Sequence, residues 1–138
     1  MGFQPSMTFI NLPVKDLKQA IDFFTQLGFS FNPQFTDDNA TCMIINDNTF
    51  AMLLVESYFK NFTNKEIVDA TKSTEVLVSL LADSKEQVNE IVNKALTAGG
   101  SPSSDPKDLG FMYQWGFQDP DGHIWELSYM DPSYVQQG

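Results

Sequence analysis

The stretch Phe117–Leu127, FQDPDGHIWEL, decides how this chain folds. It reads as strand, tight turn, strand. Pro120 presets φ for a type I turn, and Gly122 is able to take the left-handed position of a bulge. A three-residue loop of that kind pairs Asp119 with His123. Counting outward, Phe117 shares a face with Trp125, Trp115 with Leu127, and Tyr113 with Tyr129. The other face holds Met112, Gln114, Gly116 and Gln118 on one strand, with Ile124, Glu126 and Ser128 on the next. The first face is aromatic and apolar and belongs against a helix. The second is semi-polar, with Gly116 directly beside Glu126. A glutamate is a poor strand filler. Glu126 is therefore a metal ligand or base, a binding group, or a charge facing water. A slip of one residue would invert every one of these assignments.

Working outward, the order of elements recurs. Thr8–Val14 alternates, with Ile10, Leu12 and Val14 on one face and Phe9 and Asn11 on the other. Asp16 and Gln19 form a capping box. Leu17, Ala20, Ile21, Phe24 and Leu27 make a helical stripe that Gly28 ends. Strands follow at 29–35, 41–45 and 49–55, and Pro33 marks the first of these as an edge or a bulge. The second half repeats the pattern: a strand at 74–82, then a helix capped by Ser84 and Gln87. Val88, Ile91, Val92, Ala95 and Ala98 form its stripe, and Gly99 and Gly100 end it. A short strand near 101–104 and strands at 111–118 and 123–130 close the set. The expected fold class is α+β: two βαβββ units forming a cupped, partly open mixed sheet with helices on the outer face. The whole chain, 1–138, is read as a single domain. Unit 1 spans about 6–56, a connector about 57–73, and unit 2 about 74–131. Thr63 and Glu66 look like another capping box, which puts a short helix in the connector, either as a plain link or as a lid.

Composition narrows the function. The chain has 138 residues, 42% of them hydrophobic, enough for one packed core. Its net charge of −10 repels nucleic acid and acidic membrane surfaces, and no basic patch offsets it. Cys42 is alone, which excludes a disulfide within the chain and makes it a buried small hydrophobe. No apolar run approaches a membrane span, and the first dozen residues carry no signal peptide. The expectation is a cytoplasmic protein.

By strand alternation Glu126 looks into the concave side of the sheet. Phe9 and Asn11, then Met52, Leu54 and Glu56, then Glu75, Leu77 and Ser79 look the same way. Phe9, Met52, Leu54 and Leu77 suit an apolar pocket for a small molecule, or equally a dimer interface. Tyr113, Trp115, Trp125 and Tyr129 read as core packing under the helices rather than a ligand cage. His123 starts its strand and points away from Glu126. The plain alternative for Glu126 is a carboxylate hydrogen-bonded to Gln114 or water.

Two βαβββ units, with LPVKDLKQAIDFFTQLGF at 12–29 and FQDPDGHIWEL at 117–127, resemble the vicinal oxygen chelate superfamily. That group includes glyoxalase I, fosfomycin and bleomycin resistance proteins, and extradiol dioxygenases. Within it the chain looks most like short bacterial proteins predicted to be lactoylglutathione lyases. The resemblance covers nearly the whole chain and is specific for fold, not activity. It implies a homodimer and a divalent metal that polarises a substrate carbonyl. Carried over position by position, the last-strand glutamate of the family matches Glu126. The first-strand ligand, usually His, falls on Phe9, or on Asn11 if the register is off by two. The other ligands fall on Leu54, with Glu56 one step along, and on Leu77, with Glu75 before it. One ligand of four is kept, and a metal held by Glu126 with Glu56, Glu75 and Asn11 would be an all-oxygen site of weak affinity.

The sequence thus predicts a protein of this superfamily whose apolar trough binds a small molecule and whose usual metal site is largely lost. The cofactor is none, or a weakly bound divalent metal. The pocket residues are Phe9, Asn11, Met52, Leu54, Glu56, Glu75, Leu77, Gln114, Gly116 and Ser128, with Glu126 as the candidate catalytic residue or metal ligand. The alternative is a divalent-metal-dependent glyoxalase-like lyase or isomerase using Glu126 as ligand or base. The expected partners are a small molecule and a second copy of the chain, with no nucleic acid and no membrane.

Overall fold

In a computed structural model, residues 2–135 are described. The chain divides into two compact units between Ile67 and Val68. In the first, β1 (Thr8–Val14) leads into α1 (Leu17–Leu27), β2 (Ser30–Asn32), β3 (Ala40–Asn46), β4 (Thr49–Val55) and α2 (Glu56–Phe59). In the second, β5 (Leu77–Leu81) leads into α3 (Lys85–Ala98), β6 (Ser101–Pro102), β7 (Lys107–Asp108), β8 (Met112–Gln118), β9 (Ile124–Met130) and α4 (Pro132–Val135). The first sheet has the order β1-β4-β3-β2, with β1 parallel to β4. The second has the order β5-β9-β8-β6, with β5 parallel to β9 and β7 also on β8. The expected mixed α+β fold and its internal repeat are therefore present, built as two mixed sheets.

Each long helix starts and stops as its sequence dictates. The Asp16 side chain accepts from the Gln19 N–H, and the Ser84 hydroxyl accepts from the Gln87 N–H. Both helices end on a left-handed glycine, Gly28 and Gly99. α1 buries Leu17, Ala20, Phe23, Phe24 and Leu27. Phe23 rather than Ile21 takes the central place, and its ring meets Phe24 edge-on with centroids 5.0 Å apart. α3 buries Val88, Val92 and Ala95 and packs on β8 and β9. Cys42 is buried in β3, and burial pushes its thiol pKa up.

The hairpin β8–β9 has the expected register. Phe117 pairs with Trp125, Gly116 with Glu126, Trp115 with Leu127 and Tyr113 with Tyr129. The loop is closed by the Asp119 N–H donating to the His123 carbonyl, and Gly122 has φ of 95°. Phe117, Trp125 and Leu127 are buried on the helix side. The Tyr113 hydroxyl donates to Asn89 on α3 at 2.6 Å.

The turn has an organiser in Asp119, a buried carboxylate. Its Oδ1 accepts from the backbone N–H groups of Asp121 and His123, and its Oδ2 from the Trp125 indole at 3.1 Å. Gly122 is equally constrained. A Cβ there would lie 2.7 Å from the backbone of Ala70 and Thr71, so the connector sits directly on the turn.

Three local expectations are corrected. The strand expected at 29–35 stops at Asn32, whose side chain caps a 3-10 turn over Pro33–Phe35, because Pro33 offers no N–H to a ladder. The connector helix begins at Glu56, immediately after β4, and runs into a 3-10 turn over Lys60–Phe62. Thr63 starts no helix; its hydroxyl accepts from the Lys65 N–H in a local turn instead. The strand expected at 74–82 begins only at Leu77.

Replacing Asp119 by Ala leaves a buried indole N–H and two backbone donors unmatched, and urea unfolding should register a loss of at least about 2 kcal/mol. Gly122→Ala should cost a similar amount, about 2 kcal/mol or more, because it adds strain at positive φ to a backbone clash. The pH dependence has a definite sign. Burial raises the Asp119 pKa above its ordinary 3.8, against the opposing charge of His123. The folded state keeps this proton to higher pH than the unfolded chain. The stability the group contributes is therefore full below 3.8 and is lost as pH rises through the raised value. The difference in unfolding free energy between wild type and Asp119→Asn should narrow as pH rises above 3.8.

Candidate functional site

In each unit the sheet face opposite the helix carries the candidate residues. In the first unit the parallel register puts Phe9 beside Phe50, Asn11 beside Met52 and Pro13 beside Leu54. Cys42 and Ala40 on β3 extend this face next to Met52 and Leu54. Phe9 stacks on Phe50 with centroids 5.2 Å apart, yet remains 51% exposed. Asn11 is exposed, Met52 half-buried and Leu54 buried. Phe50 was missing from the expected pocket residues. Its signal was the parallel pairing of first and last strands, which sequence alternation alone does not give.

In the second unit Leu77 pairs with Ile124, Ser79 with Glu126, and Leu81 with Ser128. Across β9, Glu126 faces Gly116 and Ser128 faces Gln114. The central feature is the Glu126 carboxylate. Its Oε1 accepts from the Ser79 hydroxyl at 3.0 Å and from the Gln114 side-chain amide at 3.2 Å. The neighbouring strands β5 and β8 each supply one donor. No described residue hydrogen-bonds to Oε2 or forms an ion pair with this carboxylate. Gly116 is obligatory beside it, since a Cβ there would lie 2.5 Å from the Trp125 carbonyl oxygen. Ser79 lies on the face that strand alternation predicts, and its bond to Glu126 comes from the parallel pairing of β5 with β9.

Two expected members fall outside these faces. Glu56 is exposed at the first position of α2, because the chain turns helical directly after Val55. Glu75 is exposed in a bend before β5. Neither continues its strand, so neither is placed by strand alternation. Asn11, Met52, Leu54, Leu77, Gln114, Gly116 and Ser128 hold the expected strand positions.

The donor set limits which metal ions these residues suit. A transition-metal ion of the usual kind takes at least three oxygen, nitrogen or sulfur ligands from the protein. Phe9, Leu54 and Leu77 carry no donor, and the groups bound to Glu126 are a hydroxyl and an amide. Among the described residues no three His, Cys, Asp or Glu side chains come together. These residues do not fit a resident transition-metal ion of that kind.

No curated protein matches the chain. Solved structures do. A hypothetical protein from S. aureus is 32% identical, covers 93% of this chain and 95% of its own, and superposes with a TM-score of 0.77. A glyoxalase/bleomycin resistance protein/dioxygenase family enzyme from Burkholderia phytofirmans PsJN is 16% identical over 88% of this chain and 96% of its own, with a TM-score of 0.73. The fosfomycin resistance protein FosX from Mesorhizobium loti is 12% identical over 99% and 98%, with a TM-score of 0.66. The last two, at such identities, share the fold.

Glu126→Gln keeps an acceptor for Ser79 and Gln114 on a half-buried face, so chemical unfolding should find its stability within about 0.5 kcal/mol of wild type. A large loss would mark Glu126 as a structural residue. The description that matches residues 6–127 is Glyoxalase/Bleomycin resistance protein/Dioxygenase superfamily, and to that superfamily the chain belongs.

Proposed function

We propose that this chain is a small-molecule-binding member of its superfamily that works without the usual metal. The single observation that carries the reading is the chemistry at the carried-over ligand positions: Phe9, Leu54 and Leu77 stand where donors are needed, while Glu126 is kept. In the first unit Phe9, Phe50 and Met52 supply apolar contact area beside the polar Asn11. In the second unit Leu77 supplies apolar area, and Gln114, Ser128 and Glu126 supply the few polar groups that orient a ligand. No helix among the described residues is long and apolar enough to cross a membrane. We assign the chain to a homodimer. β1 and β5 are edge strands of their sheets and carry the exposed apolar residues Phe9, Leu77 and Leu81. Such residues are natural material for a self-complementary interface.

The test has two arms. Purified protein should contain no stoichiometric divalent metal by elemental analysis and should be insensitive to chelator. A thermal-shift screen of aromatic and apolar compounds should find several that stabilise it, since a ligand at one hundred times its Kd adds about 2.7 kcal/mol. A bound stoichiometric metal, together with turnover of methylglyoxal and a thiol, would replace this reading with that of a metal-dependent lyase. Size-exclusion chromatography with light scattering should give twice the chain mass of 15.5 kDa.

A further inference from the structure

We infer that the free edge of β5 is the homodimer interface, formed by antiparallel pairing of Leu77–Leu81 with the same segment of a second copy about a two-fold axis at Ser79. The inference rests on the homodimer reading above and adds its place and register.

β5 lies at the end of its sheet and pairs, in parallel, with β9 alone. Leu81 stands opposite Ser128, and the N–H of the next residue, Ala82, donates to the Ser128 carbonyl. Backbone groups of a strand turn alternately to its two sides, so Val78, Leu80 and Ala82 face β9. Leu77, Ser79 and Leu81 therefore present their N–H and C=O groups outward, and no described residue bonds to them. The other edges are poorer. On β1 the Thr8 N–H donates inward to the Asn48 carbonyl, so the outward set is Phe9, Asn11 and Pro13, and a proline has no N–H to offer. β2, β6 and β7 are only 3, 2 and 2 residues long.

The pattern of the segment selects its own copy as the occupant. LVSLL is apolar on both sides of a central serine. Antiparallel pairing about Ser79 sets Leu77 against the partner's Leu81 and Ser79 against the partner's Ser79. These are the outward-facing residues of both strands, so each pair exchanges both of its hydrogen bonds. The same pairing covers Leu77 and Leu81, which are 51% and 65% exposed. Charge points the same way. Two copies of a chain of charge −10 repel each other, yet Val76–Ala82 carries no charge and Glu75 and Asp83 flank it. A slip by two residues would set Glu75 against the partner's Leu81, or Asp83 against the partner's Leu77, so the flanking acids hold the register at Ser79. Glu126 stands beside Ser79 and accepts from its hydroxyl. Pairing therefore puts the two Glu126 carboxylates on one continuous sheet face, three strand spacings or about 14 Å apart. That exceeds the screening length of about 8 Å at physiological ionic strength, so they do not oppose association.

Light scattering and amide hydrogen exchange on the full chain test this together. In the dimer the amides of Leu77, Ser79 and Leu81 should exchange slowly, and at least about tenfold faster once dilution separates the copies. Leu81→Lys should weaken association at least about a hundredfold, since it removes a buried leucine and places a charge in the interface. It should release the same three amides while circular dichroism stays that of wild type. Leu81→Pro, which deletes an outward N–H and none of the bonds to β9, should also dissociate the dimer. Phe9→Lys, on the β1 edge, should leave it intact. A dimer whose Leu77, Ser79 and Leu81 amides exchange freely, or that survives both Leu81 variants, or that Phe9→Lys dissociates instead, overturns the inference and leaves the homodimer reading standing. A monomer overturns both and leaves the β5 edge to a strand of another protein.

Discussion

The second unit depends on one buried carboxylate. Asp119 accepts from two backbone N–H groups of its own turn and from the indole of Trp125 in the following strand. The first two bonds close the loop, and the third ties the loop to a fully buried side chain. Together they fix which residue of β9 follows the turn, and therefore which residues face the helix. Side chains alternate with a period of two, so a slip by one would put Trp125 in solvent and Glu126 in the core. Neither is tolerable: a fully buried aromatic would lose its burial and a charge would lose its water. The position of Glu126 opposite Gly116 and beside Ser79 is a consequence of that constraint. Gly122 extends it outward, because the backbone at Ala70 and Thr71 packs on the space where a side chain would be.

The two units solve one packing problem in the same way. In each, the first and last strands run parallel side by side, the long helix covers one face, and the first strand stays at the sheet edge. The helix faces are close-packed, with Phe23, Phe24, Leu53, Val88, Val92 and Trp125 almost fully buried. The opposite faces are more mixed: Ala40, Cys42 and Leu54 are buried there, but Phe9 and Leu77 on the edge strands each keep about half their surface exposed. The helix side of each sheet therefore carries most of the core, and the exposed edge-strand positions on the other side are freer to vary in chemistry. Phe9 and Leu77 therefore stand at positions where packing makes little demand on the side chain.

Much of this was legible because it is local. Turn chemistry at DPDG, capping boxes at Asp16 and Ser84, and glycine stops at 28 and 99 depend on neighbours a few residues away. The register of β8 on β9 followed from the turn alone. What failed was decided over longer range or by competition at element ends. Glu56 and Glu75 sit one residue past β4 and two before β5, where alternation no longer places a side chain. Ile21 and Phe23 both lie near the apolar stripe of α1, and the larger ring takes the centre because it buries more apolar area. The two-residue strand β7 carries no periodicity to detect. The bond from Ser79 to Glu126 joins residues 47 positions apart, and only the parallel pairing of β5 with β9 brings them together. The candidate site was thus legible residue by residue as a face, but not as a network.

That network bears on why a carboxylate stands at position 126. If the role were to satisfy Ser79 and Gln114, a glutamine would do so, with an oxygen acceptor in the same place and no charge to desolvate. A carboxylate on a half-buried face with only neutral donors bears part of the desolvation cost of an ion and none of the return of an ion pair. Such an arrangement is a poor choice for folding and a good one for recognition, because the charge is held in orientation while one oxygen stays available. The same logic separates Glu126 from Asp119. Asp119 has three donors, a packed surround and a structural job, whereas Glu126 has two donors on one oxygen and a face with the other unused. Polar residues that do not serve the core are where function is sought first, and Glu126 is the candidate that the second unit offers.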